Sequence, residues 1–330
     1  MLDLRRRQFI TLLGGAAAAW PLAVRAQQAA MPVVGLLSSR SPSTDAHLIA
    51  IIRQGLNETG FAEGRNVAFD YRWAEGQYDR LAGLAADLAR RQVAVIVTIG
   101  AEPSALAAKA ATATIPIVFV GSTDPVRSGL VTSLHCPGGN ITGASLFHAE
   151  IEPKRLGLLR ELRPNATTIV ALVNANGPYA ETQADDTRAA ARSVGQEITI
   201  LNASTIGEID AAFARLAQMR ADAIFVATDP FFFDRATQLV VLAARHMIPT
   251  LYIRREFAAA GGLISYGANA EDSYRILGVY SGRILKGEKP ADLPIQIATK
   301  FELVINLSTA RAFGLIVPPS LLARADEVIE

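Results

Sequence analysis

Short apolar runs alternate with amphipathic stretches from residue 31 onward. The run at 31–37 (Met-Pro-Val-Val-Gly-Leu-Leu) stops at Ser38-Ser39. It reads as a strand buried on both faces, as in parallel sheets. Residues 47–59 then carry Leu48, Ile51, Ile52 and Leu56 at helical spacing and end at Gly60, a helix stop. The same reading gives strands at 66–73, 93–99 and 115–120 and helices at 78–91 and 103–112. Pro103 falls in the first turn of the last helix, where a missing N–H does no harm.

Cys136-Pro-Gly-Gly-Asn140 is the densest turn cluster and the expected lobe boundary. After it the alternation restarts, with helices at 152–162, 182–194, 206–219 and 233–246 and strands at 168–173, 197–201, 223–227 and 249–253. The tail departs from it: helices at 273–285 and 303–313 flank a strand at 293–298. Strands and helices that alternate through short connections predict an α/β protein of two doubly wound parallel-sheet lobes.

Composition narrows the function. Half of the 330 residues are hydrophobic and 19% are charged, which allows large cores and excludes wholesale disorder. Lys plus Arg number 32 against 31 Asp plus Glu, so there is no basic footprint and nucleic acid is not an expected partner. Cys136 is the single cysteine and cannot form an internal disulfide. His47, His135, His148 and His246 lack metal-ligand spacing, and His148-Ala-Glu150 reads as surface polarity, so no metal is expected. There is no G-x-S-x-G elbow, phosphate loop or G-x-G-x-x-G after the first strand. No catalytic residue and no cofactor are therefore expected, and the chain does not read as an enzyme.

Residues 1–26 read as an export signal. Arg5-Arg-Arg7 precedes a short apolar stretch, and Val24-Arg-Ala26 offers small residues for cleavage. Within it, Arg6-Arg-Gln-Phe-Ile10 resembles the twin-arginine signal; a general secretory signal is the alternative. Cleavage removes four arginines and one aspartate, taking the net charge from +1 to −2. No later apolar run is long enough to span a bilayer.

In open parallel sheets, ligands bind beyond the carboxyl ends of the strands. Those positions hold Ser38-Ser39, Gly100-Ala101-Glu102 and Gly121-Ser122-Thr123-Asp124 in the first half. In the second half they hold Asn174-Ala-Asn176, Thr228-Asp229-Pro230 and Arg254-Arg-Glu256. Small and hydroxylic loops at helix N-termini can hold a carboxylate, and Asp229 or Glu256 can take an ammonium group. Helix capping is the competing role for the hydroxyls and Asp229. Phe231, Tyr179, Tyr252 and Trp73 are candidate stacking surfaces, although the Phe231-Phe-Phe233 run can equally pack between helices.

Two blocks carry a resemblance. They are Ile115-Pro-Ile-Val-Phe-Val-Gly-Ser-Thr-Asp-Pro-Val126 with Pro137-Gly-Gly-Asn-Ile-Thr-Gly143, and the stretch from Lys300 to Leu315 with Pro318-Pro319 and 324–329. Through them the whole mature chain resembles ABC-transporter substrate-binding proteins of the tryptophan/tyrosine-uptake type. The resemblance implies the type I periplasmic-binding-protein fold, with a three-crossover hinge and ligand in the cleft. Crossovers would fall near 140–142, 265–266 and 299–300. Lobe one would then be 31–140 plus 266–298, and lobe two 141–265 plus 299–330, with Thr142 joining the candidate site at the first crossover.

The resemblance also assigns Gly100, Ala101, Ser122 and Thr123 to the ligand's carboxylate and ammonium. Asn174, Tyr179, Asp229 and Phe231 would close over its side chain. The chain lacks a lipobox cysteine, which fits a free periplasmic protein of a Gram-negative bacterium. The implied partners are a small amino acid-like or aromatic carboxylate and an inner-membrane ABC permease, with the protein a monomer. A periplasmic sensor docking on a membrane kinase and a secreted α/β hydrolase using Ser122 or Ser145 remain open alternatives.

Overall fold

A computed structural model describes residues 31–146 and 151–330. The expected export signal at 1–26 and the His148/Glu150 pair lie outside the described residues. The strands are β1 (Val33–Ser38), β2 (Ala68–Trp73), β3 (Val95–Ile99), β4 (Ile117–Gly121), β5 (Ile141–Ser145), β6 (Ile169–Val173) and β7 (Ile198–Asn202). They continue with β8 (Ala223–Val226), β9 (Thr250–Tyr252), β10 (Ile264–Ala268), β11 (Gln296–Ile297), β12 (Phe301–Asn306) and β13 (Glu327–Ile329). The first sheet has the order β11-β5-β4-β3-β1-β2 and is parallel throughout. The second, β13-β12-β10-β9-β8-β6-β7, is parallel except where β10 meets β12.

Helices cover both faces of each sheet. They are α1 (Pro42–Glu58), α2 (Leu81–Arg90), α3 (Ala101–Ala111), α4 (Glu152–Leu162), α5 (Ala180–Ser193) and α6 (Ile206–Gln218). Then follow α7 (Pro230–Phe233), α8 (Ala236–His246), α9 (Arg255–Ala259), α10 (Glu271–Leu285), α11 (Leu307–Ala312) and α12 (Pro319–Leu322). Alternate strand residues feed opposite cores, as the pleat requires. Val34, Leu36, Val95 and Val97 pack on α1 and α10, whereas Leu37 and Ile96 pack on α2 and α3. In the second sheet, Ile169 and Ala171 face α4, and Val170 and Leu172 face α6 and α8. The two apolar faces explain why the strands read as continuous hydrophobic runs rather than alternating ones.

Helix α10 returns from the tail to lie against α1. A Cβ at Gly55 would fall 2.0 Å from the Arg275 carbonyl oxygen, and one at Gly278 would fall 2.0 Å from that of Ile52. Only glycine permits so close an approach of two helix backbones.

The chain crosses between lobes after β5, after β10 and between β11 and β12. β5 pairs with β4 in the first sheet and β10 pairs with β9 in the second. Each of these strands completes its sheet before the chain leaves it. The helix expected at 303–313 is instead β12 followed by the short α11. Val304 and Ile305 are buried by pairing with β10, and the Asn306 side chain then caps the helix by accepting from Thr309 N–H.

Candidate functional site

A cavity of about 190 Å³ lies between the carboxyl ends of the two sheets. Lobe one contributes Ala101, Glu102, Ser122, Thr123, Asp124 and Arg127, and lobe two contributes Glu152, Asn174, Tyr179, Gln183, Thr228 and Asp229. Of the residues singled out from sequence, Ala101, Glu102, Ser122, Thr123, Asp124, Asn174, Tyr179 and Asp229 meet here.

The lobe-one wall is built around Glu102, in the first turn of α3 and only 3% exposed. Its Oε1 accepts from the N–H of Ser122 (2.6 Å) and of Thr123 (2.7 Å) and from Thr123 Oγ1 (3.1 Å). Its Oε2 accepts from Ser122 Oγ (3.0 Å). The helix N-terminus adds favourable potential for a negative charge at this point. Gly100 precedes the helix at φ +86°, and a Cβ there would lie 2.0 Å from Ser39 Oγ. Ala101 follows at φ +60°, a left-handed conformation costing about 1 kcal/mol or more in a non-glycine residue. That strain sits in the wall of the cavity.

The lobe-two wall is built around Asp229, which caps α7. Its Oδ1 accepts from Phe231 N–H (2.8 Å), Asn174 Nδ2 (2.9 Å) and the Tyr78 hydroxyl (2.7 Å). Tyr78 comes from lobe one. Burial pushes the Asp229 carboxyl up to about 6, its three donors pull it down, and the charge of Glu102 adds to the rise. Behind it, Arg155 is fully buried and grips both oxygens of Glu152 through Nη1, at 3.0 and 2.8 Å. Their burial raises the Glu152 carboxyl and lowers the Arg155 guanidinium from their ordinary values. Two buried hydroxyl oxygens, Ser128 Oγ and Thr228 Oγ1, have no hydrogen-bond partner.

The lobes are closed on each other. Arg40 Nε donates to Asp234 Oδ1 at 2.9 Å, Tyr179 OH donates to the Ser128 carbonyl at 3.2 Å, and Arg127 lies 3.4 Å from Asp186.

The other expected site residues lie elsewhere, each for a physical reason. Ser38 accepts from Arg40 N–H and Ser39 donates to the Gly100 carbonyl, so both brace the end of β1. Thr142 is buried in β5 and donates to the Leu293 carbonyl. Phe231 packs edge-on against Phe232 with the Arg235 guanidinium over its ring, and Tyr252 stacks on Phe257 in the core. Trp73 stacks on Tyr71. Of the four aromatic candidates only Tyr179 reaches the cavity.

Gly100 and Arg254 line a small adjoining space with Arg40 and Phe233. Glu256 lines a separate cavity of about 340 Å³ with His47, Asn269, Glu271 and Glu302. Although larger, that cavity lacks buried carboxylates contributed by the strand ends of both lobes. Sequence reasoning missed Tyr78, Arg127, Ser128, Glu152 and Gln183. Tyr78 and Arg127 bond across the cleft, and nothing local marks such residues.

Among the described residues no group of three or more His, Cys, Asp or Glu could hold a metal ion. Ser122 Oγ donates to Glu102 and Ser145 Oγ donates to the Thr123 carbonyl.

A family model for ABC transporter substrate binding proteins matches residues 40–329. The tyrosine-binding protein of Clostridioides difficile (strain R20291) is 28% identical over 274 residues, 83% of this chain and 78% of its own. Three solved structures each cover 90% of this chain and 99% of their own. A domain from Streptococcus pneumonia in complex with L-Trp has a TM-score of 0.82 at 28% identity. A conserved domain protein from Vibrio cholerae has 0.81 at 27%. A ligand-free, open substrate-binding protein with adhesive properties from Clostridium difficile has 0.64 at 25%. Equal coverage with a lower score against the open form agrees with the cross-lobe bonds described above. The fold is that of the type I periplasmic binding proteins.

Proposed function

Because this chain belongs to the family of ABC transporter substrate-binding proteins, whose members bind solutes rather than catalyse reactions, we propose that it is a monomeric periplasmic receptor. It closes on a small amine-bearing ligand of amino acid-like or aromatic kind and delivers it to an inner-membrane permease. One observation carries the ligand class: Glu102 from lobe one and Asp229 from lobe two line a single cavity. A protonated nitrogen between them is attracted to both walls, so binding draws the lobes together. Tyr179 and the prolines Pro103, Pro178 and Pro230 supply an apolar flank for a ring. The tyrosine-binding relative and the L-Trp complex support the aromatic character. The sequence reading of residues 1–26 supports export, and a permease is the partner such receptors serve.

Thermal-shift measurements with L-Tyr, L-Trp, other amino acids, simple amines, sugars and dicarboxylates test the reading. A ligand at about 100 times its Kd adds about 2.7 kcal/mol and raises Tm by a few degrees. Stabilisation confined to amine-bearing compounds is the expected result. Stabilisation by sugars or dicarboxylates alone would overturn it.

A further inference from the structure

The loop after β4 and the start of α3 form the cradle that the sequence reading assigned to a ligand carboxylate. In the structure that cradle already holds one. Both backbone N–H groups and both hydroxyls of Ser122 and Thr123 donate to Glu102. Glu102 is also hemmed in from behind, since a Cβ at Gly121 would come within 3.0 Å of its Oε1. An incoming carboxylate therefore finds these donors spent and a fixed negative charge in their place. Of the cationic groups nearby, Arg155 is tied to Glu152 in the interior, and Arg127 lies at the exposed rim 3.4 Å from Asp186. What remains in the cavity wall is Asp229 Oδ2, beside Gly177, with the buried and unpartnered hydroxyls of Ser128 and Thr228 behind the lining. These suit a cation and neutral polar groups.

We propose that Glu102 acts as a built-in substitute for the ligand carboxylate and makes this receptor selective for primary amines that lack a free α-carboxylate. The inference rests on the amine-binding reading above and sharpens it. Like charges facing one cavity repel, so the α-carboxylate of an amino acid is penalised while its decarboxylated or amidated counterpart is not.

The test is titration calorimetry at pH 7.5 with matched compounds: tyramine, L-tyrosinamide, L-tyrosine and 3-(4-hydroxyphenyl)propionate, and tryptamine beside L-tryptophan. The amine and the amide are expected to bind at least tenfold more tightly than the amino acid, and the propionate not at all. Glu102→Ala frees the Ser122 and Thr123 donors and is expected to move the amine-to-amino-acid affinity ratio at least tenfold toward the amino acid. Should that variant fail to fold, the wild-type ratios decide the matter alone. If L-tyrosine or L-tryptophan binds as tightly as its amine, the selectivity is overturned while the amine-receptor reading stands. If the propionate alone binds, or nothing in the series does, both are overturned.

Discussion

The two walls of the cleft hold their carboxylates in different ways. Every donor to Glu102 comes from its own lobe, 20 or 21 residues along the chain, so its setting survives when the lobes part. Asp229 takes two donors from its own lobe and a third, Tyr78, from the other. Parting the lobes would remove that third donor. Lobe one is thus pre-organised and suited to choosing the ligand, whereas lobe two is finished by closure and suited to reporting that a ligand is present. A receptor that selects on a rigid wall and closes with an adaptable one loses little ordering entropy on the selective side.

The comparison can be broken most severely behind the lobe-two wall. Glu152→Ala strands the buried Arg155 guanidinium, whose other partners are the Val226 carbonyl and the Phe225 ring. Urea unfolding is expected to show a loss of about 3–5 kcal/mol. A loss below about 1 kcal/mol would mean that water reaches the arginine and the wall is not dry.

Next in size is Asp229→Ala, expected to weaken amine binding by about 1–3 kcal/mol with the fold retained. Unchanged affinity would remove Asp229 from the site.

A pH series separates the walls without mutation. Asp229 sits at about 6, raised by burial, with Tyr78, Asn174, the Phe231 amide and Glu102 around it. Amine affinity should be full well above pH 6 and fall as the pH drops through that value and the carboxylate is protonated. Stability of the unliganded closed form should run the other way. A carboxyl raised from 3.8 to about 6 binds its proton more readily when folded, so stability declines as pH rises from about 4 to 6. Asp45, buried in α1 and also raised to about 6 by desolvation, acts in the same direction. Amine affinity that is flat from pH 5 to 8 would contradict the assignment.

The smallest effect belongs to Tyr78→Phe, which removes one cross-lobe hydrogen bond worth about 0.5–1.5 kcal/mol. Ligand affinity should fall by that amount, while small-angle scattering of the unliganded protein shows more of the open form. The same loss with no change in the open–closed balance would place the effect within one lobe.

Much of the fold was legible in sequence because strands buried on both faces must be continuous apolar runs, and Val93 to Ile99 or Thr168 to Val173 can hardly be anything else. Phe301 to Asn306 misled because a short strand beside a short helix reads as one helical period, and only pairing with β10 separates them. Seven of the eight sequence candidates that line the cavity emerged from the rule that ligands sit beyond strand ends. Phe231 and Tyr252 pack in the core, because a ring near a strand end is as readily drawn into the core beneath it.

The sequence by itself determined the order of elements, the two-lobed α/β class, the family motifs and the loops from which the site is made. These follow from burial and turn chemistry, which act on neighbours along the chain. Only the tertiary structure decided how the polar groups pair: that Glu102 occupies the cradle of Ser122 and Thr123, and that Tyr78 reaches across to Asp229. A hydrogen bond is satisfied by whichever partner the fold brings within about 3 Å, and that distance is set by packing rather than by position in the chain.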